Sequence, residues 1–456
     1  MKFQICSLFI PSYQQFQNLY LDFTDPETKM PYSKICFIGR NGTGKTRILE
    51  MLHEASNIKF NYTWKCVFYV QLENFKMYMF IDNGNVLYFD SQVDQISNWM
   101  EELYSKSKEV LEYVFNNRYN KENILQFGNI FEHLINLEAR ITSKINFLNQ
   151  ISVYSPAESS SNPIIKQSIP VSNLNEALKY FKTIPKDHII STETISEFWK
   201  MLIFRIKQRE NEKAKFENLP ENLDKTKRQL IEEFNAKYPQ ILAKLAEIWD
   251  RILAPAGLEF DYEGATNPVQ LTDNLTAYIR VKETHDYLSY ANLSTGIRNY
   301  IFRVGHIFSL YFNEPIESAF LFIDEPENGL FPDFLYDLVD LYQEITGNKD
   351  NNQCTQIFMA THNPIIAAQF EPQERFILDF DENYKVVVRK GSSPVGDDPN
   401  DLLKNDFSIS NLMGKEGMQA WNDYLQFKRK LRNAQTEEEK EKYTAKILKI
   451  SQQYNF

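Results

Sequence analysis

The sequence predicts an α/β fold: a mixed sheet with an antiparallel meander of strands at its N-terminal end, a mainly helical insertion and a helical C-terminal tail. Three observations carry that prediction. Residues 34–52, "KICFIGRNGTGKTRILEML", run from a short apolar strand through a glycine-rich loop into a helix with apolar residues at helical spacing. "FLFID" (320–324) and "QIFMAT" (356–361) have the length and apolarity of strands buried on both faces. Helix, strand and loop patterns alternate from 297 to about 390, as crossover connections in a parallel sheet require.

In chain order, "KFQICSLFI", "LYLDF" and "KICFIG" read as strands, and "TRILEMLHEAS" as a helix. "KCVFYVQL", "KMYMFID" and "NVLYFD" continue as a meander to about residue 92. From 93 to 255 the pattern turns helical, in "QISNWMEELYSKSKEVLEYVF" and "NIFEHLINLEARITSKINFLNQ". Residues 196–253 read as a helical hairpin, a short coiled coil whose tip falls near "ENLPEN", where Pro220 interrupts. Its mixed charges fit a solvated face or a docking surface. "ISVYSPAESSSNP" (151–163) reads as a strand entering a loop, and "LEFDY" and "TAYIRVK" as strands opening the segment 256–390. Residues 391–456 are first Gly/Pro-rich, then helical and charged.

The bulk composition narrows the classes. In 456 residues, 43% hydrophobic and 24% charged, there is room for two or three domains, or for one large domain with an insertion. A net charge of -11 excludes a surface that is basic all over, so any nucleic-acid contact needs a local patch or a partner. Cys6, Cys36, Cys66 and Cys354 form no CxxC pair, which excludes a zinc ribbon or disulfide framework and points to a reducing compartment. The opening "MKFQICSLFIPSYQQ" reads as a strand and not as a signal peptide, and no stretch approaches the 18 apolar residues of a membrane span. A soluble, cytoplasmic protein is expected.

The loop at 39–46, "GRNGTGKT", fits G-x-x-x-x-G-K-[ST] in the strand–loop–helix context that motif needs. Gly39, Gly42 and Gly44 let the backbone N–H groups of Arg40, Asn41, Thr43 and their neighbours come close to phosphate oxygens, with Arg47 in the helix that follows. The helix N-terminus adds partial positive charge, Lys45 reaches the β- and γ-phosphates, and the Thr46 hydroxyl is placed to ligate Mg2+. Adjacent carboxylates at a buried strand end repel and need a cationic partner. Asp324 fits an acid that holds the same Mg2+ through water, and Glu325 one that orients or deprotonates an attacking water. "NLSTGIRNY" sets Ser294, Thr295 and Gly296 at a second helix N-terminus, another phosphate-binding element about 250 residues from the first. Two cradles for one triphosphate imply two subunits face to face. His362, ending "QIFMAT", is placed beside the γ-phosphate.

The ordered set "GRNGTGKT", "LSTGIR", "FLFIDEPENGLFP" and "ATHNP" resembles ABC-type P-loop ATPases of the SMC/Rad50/RecF branch. More narrowly, it is similar to the AAA-family ATPases of bacterial antiphage systems, such as the OLD proteins, PtuA of Septu and AriA of PARIS. The resemblance implies ATP and Mg2+ as cofactors, ATP hydrolysis, and a homodimer or higher homo-oligomer closed head to head. Lys45 and Thr46 become the phosphate and Mg2+ residues, Asp324 the Walker B acid, Glu325 the catalytic glutamate and His362 the switch histidine. Ser294 to Gly296 act in trans, and Asn328 to Phe331 form the D-loop. Gln150 takes the Q-loop position as a metal ligand, with Glu158 or Ser155 as alternatives. The chain departs from the family at Gln14 and Gln15, where an Arg is common, and at Phe331, where His is usual. The hairpin holds no cysteine, and hence no zinc hook.

About 65 residues follow the last strand pattern, without histidine, leaving no room for an HNH or Toprim nuclease. The resemblance therefore implies a defence ATPase that controls a nuclease in trans, with a nucleic acid or phage-derived trigger and no membrane. The tail, where Trp421, Tyr424 and Phe427 fall near one helical face, is either a docking surface for that partner or packs on the protein's own core. The other reading is a stand-alone RecF-like or Rad50-like repair or recombination ATPase acting on DNA.

Overall fold

The computed structural model describes residues 3–57, 64–72, 75–82, 85–90, 150–157, 187–191, 212–261, 279–288, 292–312, 316–347, 355–409 and 413–454, with Thr194, Phe198, Leu202 and Arg209 as single positions. The helix patterns at 95–115 and 129–149, and Glu158, lie outside the described residues.

A 12-stranded mixed sheet organises the molecule. Its strands are β1 (Phe3–Tyr13), β2 (Phe16–Asp22), β3 (Lys34–Gly39), β4 (Lys65–Leu72), β5 (Phe75–Asp82), β6 (Asn85–Asp90), β7 (Gln150–Ser155) and β8 (Asp187–Ile189). A small separate pair, β9 (Leu258–Phe260) and β10 (Ile279–Val281), precedes the last four, β11 (Ser318–Asp324), β12 (Thr355–Thr361), β13 (Arg375–Phe380) and β14 (Val386–Lys390). The spatial order is β6-β5-β4-β1-β2-β14-β13-β3-β12-β11-β7-β8. Every pair from β13 to β8 is parallel, and every pair from β6 to β2 is antiparallel, so the N-terminal meander extends one side of a parallel half-sheet.

Among the described helices, α1 (Lys45–Asn57) follows the glycine-rich loop. α2 (Lys227–Lys237) and α3 (Ile241–Leu253) belong to the insertion, and α4 (Thr295–Tyr311), α5 (Leu338–Ile345), α6 (Pro364–Ala367) and α7 (Pro399–Asn405) to the C-terminal half. The tail is α8 (Lys415–Asn433) and α9 (Glu437–Tyr454).

Strand alternation divides the apolar residues between two faces. On β3, Ile35 and Phe37 join one core with α1, while Cys36 and Ile38 join the other with α3, α4 and α5. On β11, Phe320 and Phe322 go to the first, and Leu321 and Ile323 to the second. Phenylalanines cross neighbouring strands on the α1 face: Phe322 stacks on Phe358 at 5.3 Å, and Phe37 lies 6.4 Å from Phe358 and 5.8 Å from Phe376. The antiparallel half curls over this face and is stitched back to the parallel half. Phe3 N donates to Ser318 Oγ at 3.1 Å, and Gln356 bonds both backbone groups of Ile5 at 2.9 Å.

The insertion turns at Pro220–Asn222, between a helical stretch at 212–217 and α2, whose N-terminus has a Thr226/Gln229 capping box. Phe216 and Phe234 meet across this turn at 5.6 Å. The tail is different: α8 and α9 pack on each other, with Phe427 6.3 Å from Tyr443, and Ala420 is the sole buried residue of the two.

Candidate active site

The parallel strands β3, β11 and β12 end side by side, so the loops that follow them converge by construction. After β3, the loop 40–44 turns with Gly42 and Gly44 at φ +85°, a left-handed conformation that an L side chain strains to adopt. A Cβ on Gly44 would also run into Phe16, at the β1–β2 hairpin. Gln15 of that hairpin donates to Gly42 O at 3.0 Å, so the position where Arg is common braces the loop itself. Thr43 is buried, with its hydroxyl on Arg40 O at 2.8 Å. Asn41 is exposed, Arg40 pairs with Asp379 at 3.6 Å, and Arg47 is turned to Glu50 at 2.6 Å.

Lys45, only 6% exposed, folds its ammonium onto the carbonyls of Gly39 (2.9 Å) and Arg40 (3.2 Å). Burial pulls its pKa down to about 8 against the opposing field of Asp324, Glu325 and Glu327. Thr46 Oγ1 donates to Asp324 Oδ2 at 2.6 Å, joining the loop to the end of β11. Asp324 is buried, and that burial raises its pKa even though the Thr46 bond lowers it. A hydroxyl and a carboxylate at hydrogen-bond distance at a helix N-terminus form an all-oxygen donor set that fits Mg2+.

Glu325 has φ +45°, unusual for a residue with a side chain, and both of its backbone groups are pinned. Its N–H donates to Ala360 O at 2.9 Å, and its carbonyl accepts from Arg303 Nη1 at 3.1 Å. The carboxylate lies between His362 Nε2 at 3.4 Å and Asn328 Nδ2 at 3.2 Å. Burial and the nearby Lys45 charge lower the His362 pKa, against the opposing pull of Glu325. Lys45, Thr46, Asp324, Glu325 and His362 are therefore brought together.

Two groups of expected site residues are not. Gln150 is a correction: it pairs with Ser318 at the start of β7, whereas Ser155 pairs with Ile323, beside Asp324. Five residues of strand separate Gln150 from that end, about 17 Å, and its amide donates to Ser56 O at 2.6 Å. It cannot ligate a metal at Thr46 and Asp324. Ser155 is at the correct end, buried, with its Oγ unpaired among the described residues. No hydrogen bond joins Ser294, Thr295 or Gly296 to the chain's own glycine-rich loop among the described residues. Ser294 Oγ caps α4 at Ile297 N, Ser294 and Thr295 are exposed, and Gly296 packs against Gly329 so closely that a Cβ would overlap the Gly329 carbonyl.

The motif reading missed two residues. Arg303, on α4 and 4% exposed, donates to Pro156 O at 2.6 Å as well as to Glu325 O, linking α4, the turn after β7 and the end of β11. Glu327 accepts from Thr361 Oγ1 (2.7 Å) and His362 N (2.9 Å), fastening the loop after β11 to the end of β12, and burial raises its pKa. For Arg303, the single signal in the sequence is a charge within an otherwise apolar helical stripe.

Residues 1–367 match a family model described as an AAA ATPase domain. No curated protein matches the chain. Solved structures do, among them the crystal structure of an SmcHead bound to the C-winged helix domain of ScpA, with 12% identity, 85% of this chain and 98% of that chain covered, and a TM-score of 0.36. No helix among the described residues is long and apolar enough to cross a membrane.

Proposed function

We propose, from the premise that this chain belongs to the AAA ATPase domain family and hydrolyses ATP, that two copies close head to head around the nucleotide and that the cycle controls a partner effector, a nuclease supplied in trans, in antiphage defence. The observation that carries the catalytic part is the convergence of Lys45, Thr46–Asp324 and Glu325–His362 at three adjacent strand ends. Lys45 exchanges two backbone carbonyls for the β- and γ-phosphates. Thr46 and Asp324 would hold Mg2+, which when bound offsets phosphate charge, and Ser155 would take the Q-loop role. Glu325, aimed by Asn328 and His362, takes a proton from the water that attacks the γ-phosphorus, and the bond to the leaving diphosphate breaks.

The head-to-head reading is supported by Ser294 and Thr295, which are exposed at a helix N-terminus with no acidic residue in its first turn and, among the described residues, make no hydrogen bond to their own chain's glycine-rich loop. The partner reading is supported by a tail whose two helices bury almost nothing except each other. The defence role itself rests on the resemblance of the motif order.

Native mass spectrometry on Glu325→Gln protein, purified from its own host with ATP and Mg2+, tests all of this. A multi-subunit particle holding a second, nuclease-like protein supports the effector reading. A bare ATP-dependent dimer leaves the repair ATPase as the better description. A monomer indifferent to ATP refutes the head-to-head arrangement.

A further inference from the structure

A chain of net charge -11 repels a polyanion unless some local patch reverses the sign. The tail hairpin does so. Residues 428–449 hold eight Lys and Arg against four Glu, a net +4 that leaves -15 for the rest of the chain. They lie past residue 367, where the family match ends, so the hairpin is no part of the matched ATPase domain.

Four of these cations share one side. Lys442, Lys446 and Lys449 fall at i, i+4 and i+7 of α9, a single exposed stripe about 10 Å long. Lys430 of α8 joins it across the seam between the helices. Its Nζ is 5.9 Å from the centre of the Phe427 ring, and Lys446 Nζ is 4.8 Å from the same ring. Two ammoniums from different helices thus meet at one aromatic side chain, each attracted by the ring and both repelling one another. Among the described residues no carboxylate pairs with Lys430, Lys442, Lys446 or Lys449, and the hairpin's one ion pair, at 2.7 Å, joins Lys440 to Glu437. Like charges gathered with no counter-charge in the chain call for one from outside it.

We propose that this lysine stripe binds the phosphate backbone of duplex DNA. The rings favour a duplex over a single strand. Phe427 faces Tyr443 at 6.3 Å and Trp421 stacks on Tyr424 at 5.4 Å, so these four are taken up by one another and not by unpaired bases. A duplex has its bases stacked already and asks only for cations at a regular spacing; 10 Å of its axis spans about three phosphates of one strand. A bilayer surface fits worse, because the large apolar residues exposed on the two helices, Met418, Leu425 and Leu448, are off the stripe. The contact is to phosphates and therefore independent of sequence. The inference goes beyond the effector reading and does not rest on it.

The test is fluorescence anisotropy of a labelled duplex of about 20 base pairs with the full chain, between about 50 and 200 mM salt. With one phosphate neutralised by each of the four lysines, log affinity against log salt should fall with a slope of about -3.6. Lys430→Gln with Lys446→Gln should weaken binding and bring the slope to about -1.8, whereas Lys430→Arg with Lys446→Arg should leave both unchanged. Thermal melts identify any variant that fails to fold; Lys442→Gln with Lys449→Gln then gives the same reading from the other half of the stripe. No binding at the lowest salt overturns the proposal, and so does a slope that the glutamines leave as it was. Tighter binding to the single strand, or competition by anionic phospholipid vesicles as effective as that by unlabelled duplex, overturns the choice of duplex DNA. None of these outcomes touches the ATPase reading.

Discussion

Raising the pH from 7 to 9 should weaken nucleotide binding about tenfold, and Lys45 is the reason. In the free protein, burial holds its pKa at about 8. At pH 9 such a group keeps its proton about one-tenth of the time. A polyphosphate beside the ammonium favours the charged form, so the complex carries a proton that the free protein lacks. The sign follows from linkage: where the bound state holds more protons, affinity falls as pH rises. The loss begins near pH 8 and grows by about 1.4 kcal/mol, or tenfold, for each further unit until the bound-state value is reached. Below about pH 7, both states are protonated and this group contributes no slope. The nucleotide's own titration lies lower, since a terminal phosphate loses its last proton near pH 6. Calorimetry at pH 7, 8 and 9 in buffers of different ionisation heat reads both quantities: affinity should drop while proton uptake per nucleotide climbs from near zero towards one. Lys45→Arg, always charged, should flatten the profile even if it binds more weakly. A wild-type affinity that is constant from pH 7 to 9, with no proton uptake, would refute the reasoning.

Three other perturbations follow from particular contacts. Gly296→Ala forces a methyl into the Gly329 carbonyl and should cost about 1–3 kcal/mol, read as a lower urea midpoint; unchanged stability would mean the two loops can separate freely. Arg303→Met removes the donor to the Glu325 and Pro156 carbonyls and should lower kcat about tenfold with KM little changed, and Arg303→Lys should not restore it, because one ammonium cannot reproduce the fork. A KM effect alone would place Arg303 in binding. Asp406→Asn strands the fully buried Arg375, its partner at 3.3 Å, and should destabilise by about 3–5 kcal/mol in thermal melts, whereas Arg375→Met with Asp406→Leu should recover most of that.

What could be read in the sequence was whatever chemistry demands at fixed spacing. A phosphate cradle needs glycines, a lysine and a hydroxyl at set positions, so Gly39 to Thr46 were legible, as were the strand ends carrying Asp324 and His362. The mixed sheet and its meander were legible too, since two-residue alternation and apolar runs mark strands locally. Pairing was not. Gln150 looked suitable by residue type, but the register of β7 on β11 decides which end of a strand a residue occupies, and register is a property of two segments. Arg303 was invisible for a related reason, because its acceptors are carbonyls from the turns after β7 and β11, and a carbonyl has no letter in a sequence. β8, three residues long, is below the length at which periodicity speaks.

The order of strands has a consequence for how the chain comes together during synthesis. β3, which leads into the phosphate loop, has β12 and β13 as its neighbours, and neither exists until residue 355 and beyond. A nascent chain must therefore carry an apolar strand, with both edges unsatisfied, past more than 300 residues of intervening sequence. Contacts that distant are slow to form and leave strand edges exposed meanwhile. The Ser318 and Gln356 bonds to Phe3 and Ile5 close the same long circuit, which makes the last third of the protein the template on which its first forty residues acquire a nucleotide site.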